Sequence, residues 1–487
     1  MMPQVDFPQS IVRAGIARRD ITLPVGIYHR MWGAATHDVS TGVHRPLLAT
    51  ALVHEPDVSR QIETTGTSPQ ALVAVDHCLL WNEDMESLHS AVCQATGLRA
   101  DQLHIAFSHT HAAGLMDRRR GELPGGKLIG PYLDEMAERI AEAVVDARAS
   151  MQPAAIVYGT GQCDLARHRD AWDAQSGQFV CGFNPEGPAD DTVVVARITT
   201  QQDETLATLV NYACHATTLA WQSSLISPDF VGAMREVVER DTDAPCLFLQ
   251  GASGDLGPRH GYVGDPEIAD KNGRQLGFAA LSALESLPPP GQRFAYAGPV
   301  VSGATLGTWQ YERLSEEALC GKGRWRCEQF DVELFYRDDL PTREQTEQEL
   351  AHWTAEEESA RQQGDQARAR DARANAERMA RQLARIGGLP PGDGLPVQVA
   401  VWQLGDAVWI ATQGEHYHLL QRSLRERFSN RIVLVATVTN GWRPGYVPTE
   451  PTYGRGIYQE SIAVVAPGSL ERLIQAIGDR IDALLAQ

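Results

Sequence analysis

The chain has 487 residues, of which 43% are apolar and 22% are charged. This composition is typical of a globular protein with a large core and excludes disordered and collagen-like chains. The 43 Lys and Arg residues stand against 62 Asp and Glu residues, which gives a formal net charge of −19. Because nucleic acids and anionic membranes repel such a surface, we expect a small-molecule substrate and no nucleic acid partner.

Two further features bear on where the protein works. No apolar run approaches the roughly 18 to 20 residues that span a bilayer, and residues 1–11 lack a positively charged start followed by an apolar stretch. The eight cysteines are spread along the chain without a CxxC pair, unlike a disulfide framework or a zinc ribbon. We therefore expect a cytoplasmic protein with no membrane anchor.

From residue 70 onward, short apolar runs alternate with amphipathic stretches. The runs are ALVAVD, LHIAFSHTH, AAIVYGT, TVVVARI, TLATLVNYACH, APCLFLQG, VQVAVWQLGDAVWIATQ and RIVLVATVTN. Runs of roughly four to eight β-rich residues between helical patterns predict an α/β fold. Gly405 and Asp406 form a hairpin turn signal, so we expect a mixed sheet with flanking helices.

Two helices are predicted in some detail. Apolar residues at helical spacing predict a helix over 132–149. Ser227, Pro228 and Asp229 have the types expected for an N-cap, a first-turn proline and a first-turn acid. They predict a second helix that continues through Arg240.

The segment 342–386 differs from the rest of the chain. It is dominated by Glu, Gln, Arg and Ala, and Gly364 and Asp365 interrupt it near its middle. This composition predicts two solvated helices folded back as a protruding charged hairpin. The simplest interpretation is a surface decoration, and the alternatives are a cover over the active site or an arm for homo-oligomer formation.

Polar residues that can bind ligands follow five of the predicted strands. Ligands of α/β sheets bind outside the carboxyl ends of the strands, so this pattern predicts one shared site. Two imidazoles, a carboxylate and a phenolate favour zinc, although each residue taken alone also has an ordinary structural interpretation. The five segments are 108–111, 214–215, 251–255, 414–415, and 439–441 with Tyr446.

Other motifs carry less weight. The run QGASGDLGP lacks the Lys-Ser/Thr of a P-loop and the GxGxxG spacing of a dinucleotide site. There is no GxSxG nucleophile elbow, so a serine-triad hydrolase has little support. The second HxH pair, His416 and His418, is predicted to lie in the first turn of the helix that continues through LLQRSLRERF.

Five motifs, in order, resemble the neutral/alkaline non-lysosomal ceramidase family: SHTHAAG, NYACHATT, FLQGASGDLGP, TQGEHY and NGWRPGYVPTEPTYGRGIYQE. The opening segments AGIARRDITLPVG and TGVHRPLLATALV are also similar to that family. The resemblance implies one catalytic domain over 1–487, with 342–386 as a helical-hairpin insertion. We expect no counterpart of the C-terminal immunoglobulin-like domain of that family.

By resemblance, the protein is a zinc-dependent amidase with one Zn²⁺ per chain. The resemblance gives metal ligands His109, His215, Glu415 and Tyr446, and catalytic residues His111, Arg169 and Tyr458.

One departure concerns the substrate. Gly257 stands where the family has a catalytically required serine, so we expect hydrolysis of an acyl amide other than ceramide, with an ester as second choice. The alternatives are a metal-dependent lyase acting on an acidic sugar or polyol, and a catalytically lapsed binding or scaffold protein.

Overall fold

The computed structural model describes residues 3–58, 64–65 and 69–486. The helices in these ranges are α1 (Asn82–Thr96), α2 (Ile129–Ala149), α3 (Phe230–Thr242), α4 (Pro266–Glu285), α5 (Glu316–Lys322), α6 (Arg343–Gln362), α7 (Gln366–Gly387), α8 (Leu419–Arg427), α9 (Tyr458–Ile462) and α10 (Ser469–Ala486).

The strands in the same ranges are β1 (Gln4–Val5), β2 (Gln9–Asp20), β3 (Gly42–Val43), β4 (Leu48–Pro56), β5 (Thr64–Thr65), β6 (Gln70–Val75), β7 (Leu103–Phe107), β8 (Gln152–Gln162), β9 (Ala166–His168), β10 (Asp170–Asp173), β11 (Gln178–Cys181), β12 (Thr192–Thr200), β13 (Thr205–Tyr212), β14 (Leu225–Ile226), β15 (Cys246–Gln250), β16 (Leu256–Pro258), β17 (Gln292–Ser302), β18 (Ala304–Arg313), β19 (Trp325–Phe335), β20 (Gly394–Leu404), β21 (Ala407–Thr412), β22 (Glu415–His416), β23 (Ile432–Ala436) and β24 (Tyr446–Val447).

Two mixed sheets stack face to face. The larger sheet has the strand order β15-β13-β12-β8-β2-β4-β6-β7, and the smaller has the order β23-β21-β20-β19-β5. Side chains from both sheets, including Trp325, Trp402 and Trp409, form one buried cluster between them. Because both faces of each sheet are covered, the strands read as nearly continuous apolar runs in the sequence.

Helices cover the two outer faces and complete a four-layer arrangement. Helices α1 and α2 pack on β4, β6 and β7. Helices α3 and α4 cover β8, β12, β13 and β15, while α8 and α10 cover the smaller sheet. The structure confirms the predicted α/β class with a mixed sheet and flanking helices, and shows two stacked sheets where the sequence pattern indicated one.

Local predictions met different outcomes. The hairpin turn at Gly405 and Asp406 is confirmed, since β20 and β21 pair antiparallel on either side of it. The predicted start of the second helix is wrong, because α3 begins at Phe230. Asp229 is its N-cap, and the Asp229 carboxylate accepts a hydrogen bond from the Phe230 amide. Position 228 therefore precedes the helix.

The larger sheet curls until its edge strands β7 and β15 approach each other. The segment 437–440, which follows β23, lies between these edges. The Thr437 amide donates to Gln250 O at 2.8 Å, and the Asn440 amide donates to Ile105 O at 2.8 Å. The carboxyl ends of β7 and β13 consequently meet at one place, although five strands separate them in the sheet order.

The charged hairpin consists of α6 and α7, which pack along each other. Helix α7 also packs on the body of the protein. Glu377 forms a salt bridge of 2.8 Å with Arg120, and Arg381 donates to Met31 O at 2.6 Å. Among the described residues, no helix combines the length and apolarity needed to cross a membrane.

Asn440 gives a test of the sheet closure. Its side chain accepts from the Ile105 amide at 2.8 Å and donates to Leu103 O at 3.1 Å, and its φ is 57°. We expect Asn440→Ala to lower the free energy of unfolding by about 2–3 kcal/mol, through lost hydrogen bonds and left-handed strain. Asn440→Gly, which tolerates this φ, should lose roughly 1 kcal/mol less in urea unfolding. Equal losses in the two variants would contradict the contribution from strain.

Candidate metal centre and its cavity

Three buried acceptors converge where the strand ends meet. His109 Nε2 lies 3.1 Å from His215 Nε2 and 3.1 Å from a carboxylate oxygen of Glu415. The same Glu415 oxygen lies 2.9 Å from His215 Nε2. These three residues form a group that can hold a metal ion, and each is at most 5% exposed.

The orientation of the two imidazoles is fixed by the backbone. His109 Nδ1 donates to Cys78 O at 2.8 Å, and His215 Nδ1 donates to Ser253 O at 2.8 Å. A carbonyl oxygen only accepts, so Nδ1 carries a proton in both rings, and in the neutral imidazoles the Nε2 lone pairs face each other. Two lone pairs and a carboxylate at this separation repel one another unless a proton or a metal ion lies among them.

The local backbone positions the side chains of this group. His109 has a φ of 63°, an uncommon conformation for a residue other than glycine, and the conformational strain of such a residue is typically about 1–3 kcal/mol. Glu415 lies in β22, which pairs with β24 in a register that places Glu415 opposite Tyr446. The Trp442 indole donates to the second oxygen of Glu415 and orients the carboxylate.

Tyr446 and Arg169 flank the group. The Tyr446 hydroxyl is 3.2 Å from His215 Nε2 and accepts a hydrogen bond of 2.9 Å from Arg169. Arg169 also donates to Gly254 O at 2.7 Å, and its guanidinium carbon lies 5.4 Å from the centre of the Tyr446 ring. Arg169 thus holds the tyrosine hydroxyl against the three acceptors.

The electrostatics of the group favour an ionised carboxylate. Burial alone raises the pKa of Glu415, but the neighbouring His109 and His215 hold it well below its usual range. Burial, with a smaller contribution from Arg169, lowers the pKa of His215 to about 4. Burial also opposes protonation of His109, but the Glu415 carboxylate keeps the pKa of His109 well above its usual value. The carboxylate therefore attracts a cation.

The other two predicted catalytic residues lie beside this group. The His111 ring packs 5.2 Å from that of Trp32, and neither ring nitrogen has a hydrogen-bond partner among the described residues. Burial and the nearby His109 and His215 lower the pKa of His111, so it is neutral at pH 7. The Tyr458 ring is 6.0 Å from that of Tyr446. All seven residues singled out from the sequence gather at one place.

A cavity of about 380 Å³ adjoins the group. Its walls contain aromatic, apolar and arginine side chains. They are Met31, Trp32, Gly33, His111, Arg169, Cys181, Thr217, Trp221, Tyr262, Ala374, Glu377, Arg378, Arg381, Arg385, Tyr446, Tyr458 and Ile462. Helix α7 contributes five of these residues, so the charged hairpin covers one side of the cavity.

The glycine-rich loop after β15 is a packing element. A Cβ on Gly254 would lie 2.8 Å from Glu415 O, and a Cβ on Gly251 would lie 2.7 Å from Gln421 Oε1. The Gly254 amide donates to His416 O at 2.7 Å. Glycine is required at position 254 because the loop backbone presses against the backbone that carries the Glu415 carboxylate.

Sequence reasoning missed several residues of the site. His418 was predicted in a first helical turn, but it caps α8, and His416 lies in β22. The Asp255 carboxylate accepts hydrogen bonds from the amide and Nδ1 of His418, the latter at 2.6 Å. Thr217 presents a buried hydroxyl with no partner among the described residues. Asp255 lies in the predicted segment 251–255, but no sequence signal pairs it with His418, and Thr217 had no signal beyond its closeness to a motif.

The Asp255–His418 pair predicts a pH-dependent stability. Burial opposes the charge on His418, but Asp255 raises the pKa of His418 above its usual value. The stabilisation is therefore complete below about pH 6.5 and is lost as the pH rises through the folded-state pKa. His418→Gln should lower the free energy of unfolding by about 2 kcal/mol at pH 5.5 and by less at pH 9.

The exposed His352 on α6 provides a control, because His352→Gln should change stability by no more than about 0.5 kcal/mol at either pH. A loss for His418→Gln that is the same at both pH values would contradict the ion pair. Urea unfolding at the two pH values measures both variants.

Comparisons with known proteins agree with this geometry. The family model for neutral/alkaline non-lysosomal ceramidase, N-terminal, matches residues 12–258, half of the chain. The crystal structure of neutral ceramidase from Pseudomonas aeruginosa has a TM-score of 0.62 and 14% identity, covering 97% of this chain and 74% of that chain. A ceramidase complexed with C2 has a TM-score of 0.62 and 16% identity, covering 99% and 76%.

No curated protein sequence matches the chain. At such low identity the solved structures share the fold, whereas the family model covers the strands that carry His109 and His215. The chain belongs to the neutral/alkaline non-lysosomal ceramidase family.

Proposed function

We propose that the protein is a zinc-dependent hydrolase that cleaves an acyl-amide bond, with an ester as the second choice, and that it uses one Zn²⁺ per chain. Membership of a ceramidase family supports hydrolysis as the reaction class. The observation that carries the proposal is the convergence of His109 Nε2, His215 Nε2 and Glu415 within 3.1 Å.

The donor set fits zinc. Two imidazoles and a carboxylate are a common set of three protein ligands in catalytic zinc sites, which keep the fourth position open. Both imidazoles are oriented by carbonyl acceptors, as ligating histidines usually are. Zinc bound there would lower the pKa of a water and polarise a carbonyl, which is the chemistry that hydrolysis requires. We propose Tyr446, which lies beside this set, as the fourth residue that would hold the metal.

His111 is the candidate proton carrier. Its pKa is lowered by burial and by the neighbouring imidazoles, so at neutral pH it has a free lone pair. Neither ring nitrogen is engaged within the described structure, and the ring lines the cavity. It can therefore accept a proton from the attacking water and return it to the leaving amine. In the complete reaction, one water molecule supplies a hydroxyl to the acyl carbon and a proton to the nitrogen as the C–N bond breaks.

Donors for a developing oxyanion surround the same point. Arg169, Tyr446 and Tyr458 line the cavity, and Arg169 is fixed by Gly254 O. Such preorganised donors stabilise negative charge without reorganisation during the reaction. We assign oxyanion stabilisation or anchoring of an acidic group to Arg169 and Tyr458.

The position of the missing serine is next to another hydroxyl. A Cβ on Gly257 would lie 3.7 Å from Arg169 Cδ and 3.8 Å from Thr217 Oγ1, which is ordinary contact. Thr217 Oγ1 is buried, lines the cavity and has no partner in the described structure. We propose that the Thr217 hydroxyl takes part in substrate binding where Gly257 provides none.

The cavity size argues against ceramide. Its volume of about 380 Å³ is at the low end of the range of roughly 300–1,000 Å³ for ligand pockets. Ceramide carries two long alkyl chains, whereas the apolar part of this cavity is confined to a few side chains around Trp32 and Trp221. A short acyl amide suits this space better.

The metal proposal is tested with two histidine variants. His215→Ala should remove bound zinc and hydrolase activity together, because it deletes one of the three converging ligands. His111→Ala should retain about one zinc per chain and lose about 10²- to 10⁴-fold in turnover, the usual contribution of a general base. Elemental analysis of the purified proteins and octanoate release from N-octanoyl amides measure the two effects.

A His215→Ala protein that keeps full activity without zinc would overturn the metal proposal. Loss of zinc in His111→Ala would instead make His111 a metal ligand. The absence of metal from the wild-type protein would favour the binding-protein alternative.

Thr217 gives a separate prediction. Thr217→Val should leave the free energy of unfolding unchanged or raised, because it removes a buried hydroxyl without a partner, but should lower kcat/KM about tenfold. Thr218 is the matched control. Thr218→Val removes a hydroxyl that accepts a hydrogen bond of 3.1 Å from the Asn272 side-chain amide, so this variant should lower the free energy of unfolding. Unchanged kcat/KM in Thr217→Val would contradict a role for this hydroxyl.

A further inference from the structure

One wall of the cavity is strongly basic although the protein is acidic. Arg378, Arg381 and Arg385 of α7 form this basic wall, and Arg169 lies in the lining beside them. The chain as a whole has a formal net charge of −19. A local excess of cations against that background indicates a ligand with negative charge.

The spacing on α7 explains why these arginines share a face. Residues three, four and seven positions apart lie on one side of a helix, so Arg378, Arg381 and Arg385 point toward the same cavity. Arg378 and Arg385 are two turns apart, or about 10 Å along the helix axis. The basic wall is therefore long enough to meet one end of a ligand whose other end reaches the metal-binding group.

The acidic residue of the same wall is already engaged. Glu377 forms salt bridges with Arg120 at 2.8 Å and with Arg381 at 2.7 Å. Burial raises the pKa of Glu377, but Arg381 and Arg120 lower it to about 2, so the carboxylate is fully charged. Arg381 is further fixed by Met31 O at 2.6 Å. Glu377 thus positions α7 and leaves Arg378 and Arg385 uncompensated.

Arg385 carries a buried charge with no salt-bridge partner among the described residues. It is 8% exposed, its Nη1 donates to the uncharged Gln382 side chain, its Nε has no hydrogen-bond partner in the described structure, and its guanidinium carbon lies 5.3 Å from the centre of the Trp442 ring. Neither Arg385 nor Arg378 forms a salt bridge within the part of the chain that the structure describes. A buried guanidinium is costly without a carboxylate or phosphate, and such a group on a ligand supplies the missing partner.

Another part of the lining has a different chemistry. Trp32 packs 5.7 Å from Tyr262 and 6.1 Å from Trp221, edge to face, and Met31 lies beside them in the lining. This wall suits an apolar acyl chain. The cavity therefore has an aromatic side, a basic side and the metal-binding group within one small volume.

From this arrangement we infer that the substrates are short-chain N-acyl amides that carry a carboxylate, such as N-acylated amino acids, and that Arg378 and Arg385 bind that carboxylate. The inference rests on the proposed hydrolase function for the reaction, but the recognition of the carboxylate is a property of the cavity. It gives the hairpin insertion a role in substrate selection.

The test compares two probes that differ only in charge. N-octanoylglycine ends in a carboxylate, and N-octanoylglycinamide ends in an uncharged carboxamide of similar shape. We expect kcat/KM for octanoate release from the acid to exceed that from the amide by about 10- to 100-fold, the usual effect of one charge-assisted hydrogen bond. Isothermal titration of the same probes on zinc-loaded His111→Ala protein, in which turnover is expected to be slow, gives their Kd values.

Four arginine variants locate the effect. Arg378→Gln, at an exposed position, and Arg385→Gln should each lower the acid-to-amide ratio about tenfold or more, with zinc content unchanged. Arg370→Gln is the matched control, because Arg370 lies on the same helix, pairs with Asp371 and does not line the cavity. Arg385→Lys, which keeps the charge, should restore part of the ratio if Arg385→Gln folds poorly.

The outcomes separate this inference from the proposed function. Equal kcat/KM and equal Kd for the two probes would overturn carboxylate recognition while leaving the hydrolase intact. No octanoate release from either probe, together with tighter binding of the acid that Arg378→Gln abolishes, would overturn the amidase and support the inference. Failure of the acid to bind more tightly than the amide to the unsubstituted protein would overturn the inference.

Discussion

The burial of two imidazole Nε2 atoms and a carboxylate within 3.1 Å of one another is the constraint on which the rest of the structure depends. Acceptor groups of this kind repel in a low-dielectric interior unless a proton or a metal ion lies among them. The neighbouring groups hold these three side chains together. Backbone carbonyls orient both imidazoles, Trp442 orients Glu415, and Gly254 allows the loop to pack against the Glu415 backbone. The burial of the large four-layer core offsets the free-energy cost of this arrangement.

The same arrangement explains why the sheet has to curl. His109 follows an edge strand and His215 follows a strand near the other edge, so a flat sheet would keep them far apart. The segment 437–440 joins the two edges by backbone hydrogen bonds to Gln250 and Ile105. The smaller sheet supplies both this segment and Glu415, and the metal-binding group is thus a product of two sheets.

The hairpin gives the site its own character within a family fold. Helix α7 docks through Glu377 and Arg381 and then presents Arg378 and Arg385 to the cavity. Elsewhere in the lining, Thr217 Oγ1 lies 3.8 Å from the place that a Cβ on Gly257 would occupy. These two features of the cavity support the proposal of a substrate other than ceramide.

Local sequence patterns were enough to predict the α/β class, the hairpin turn at Gly405 and the set of polar residues after the strands, because hydrophobic periodicity and turn chemistry are local properties. The order of five motifs indicated the family. Tertiary contacts were needed to show that there are two stacked sheets, that α7 covers the cavity, that Thr217 lines it and that Asp255 pairs with His418. Those features depend on contacts between segments far apart in the chain, and no local pattern records them.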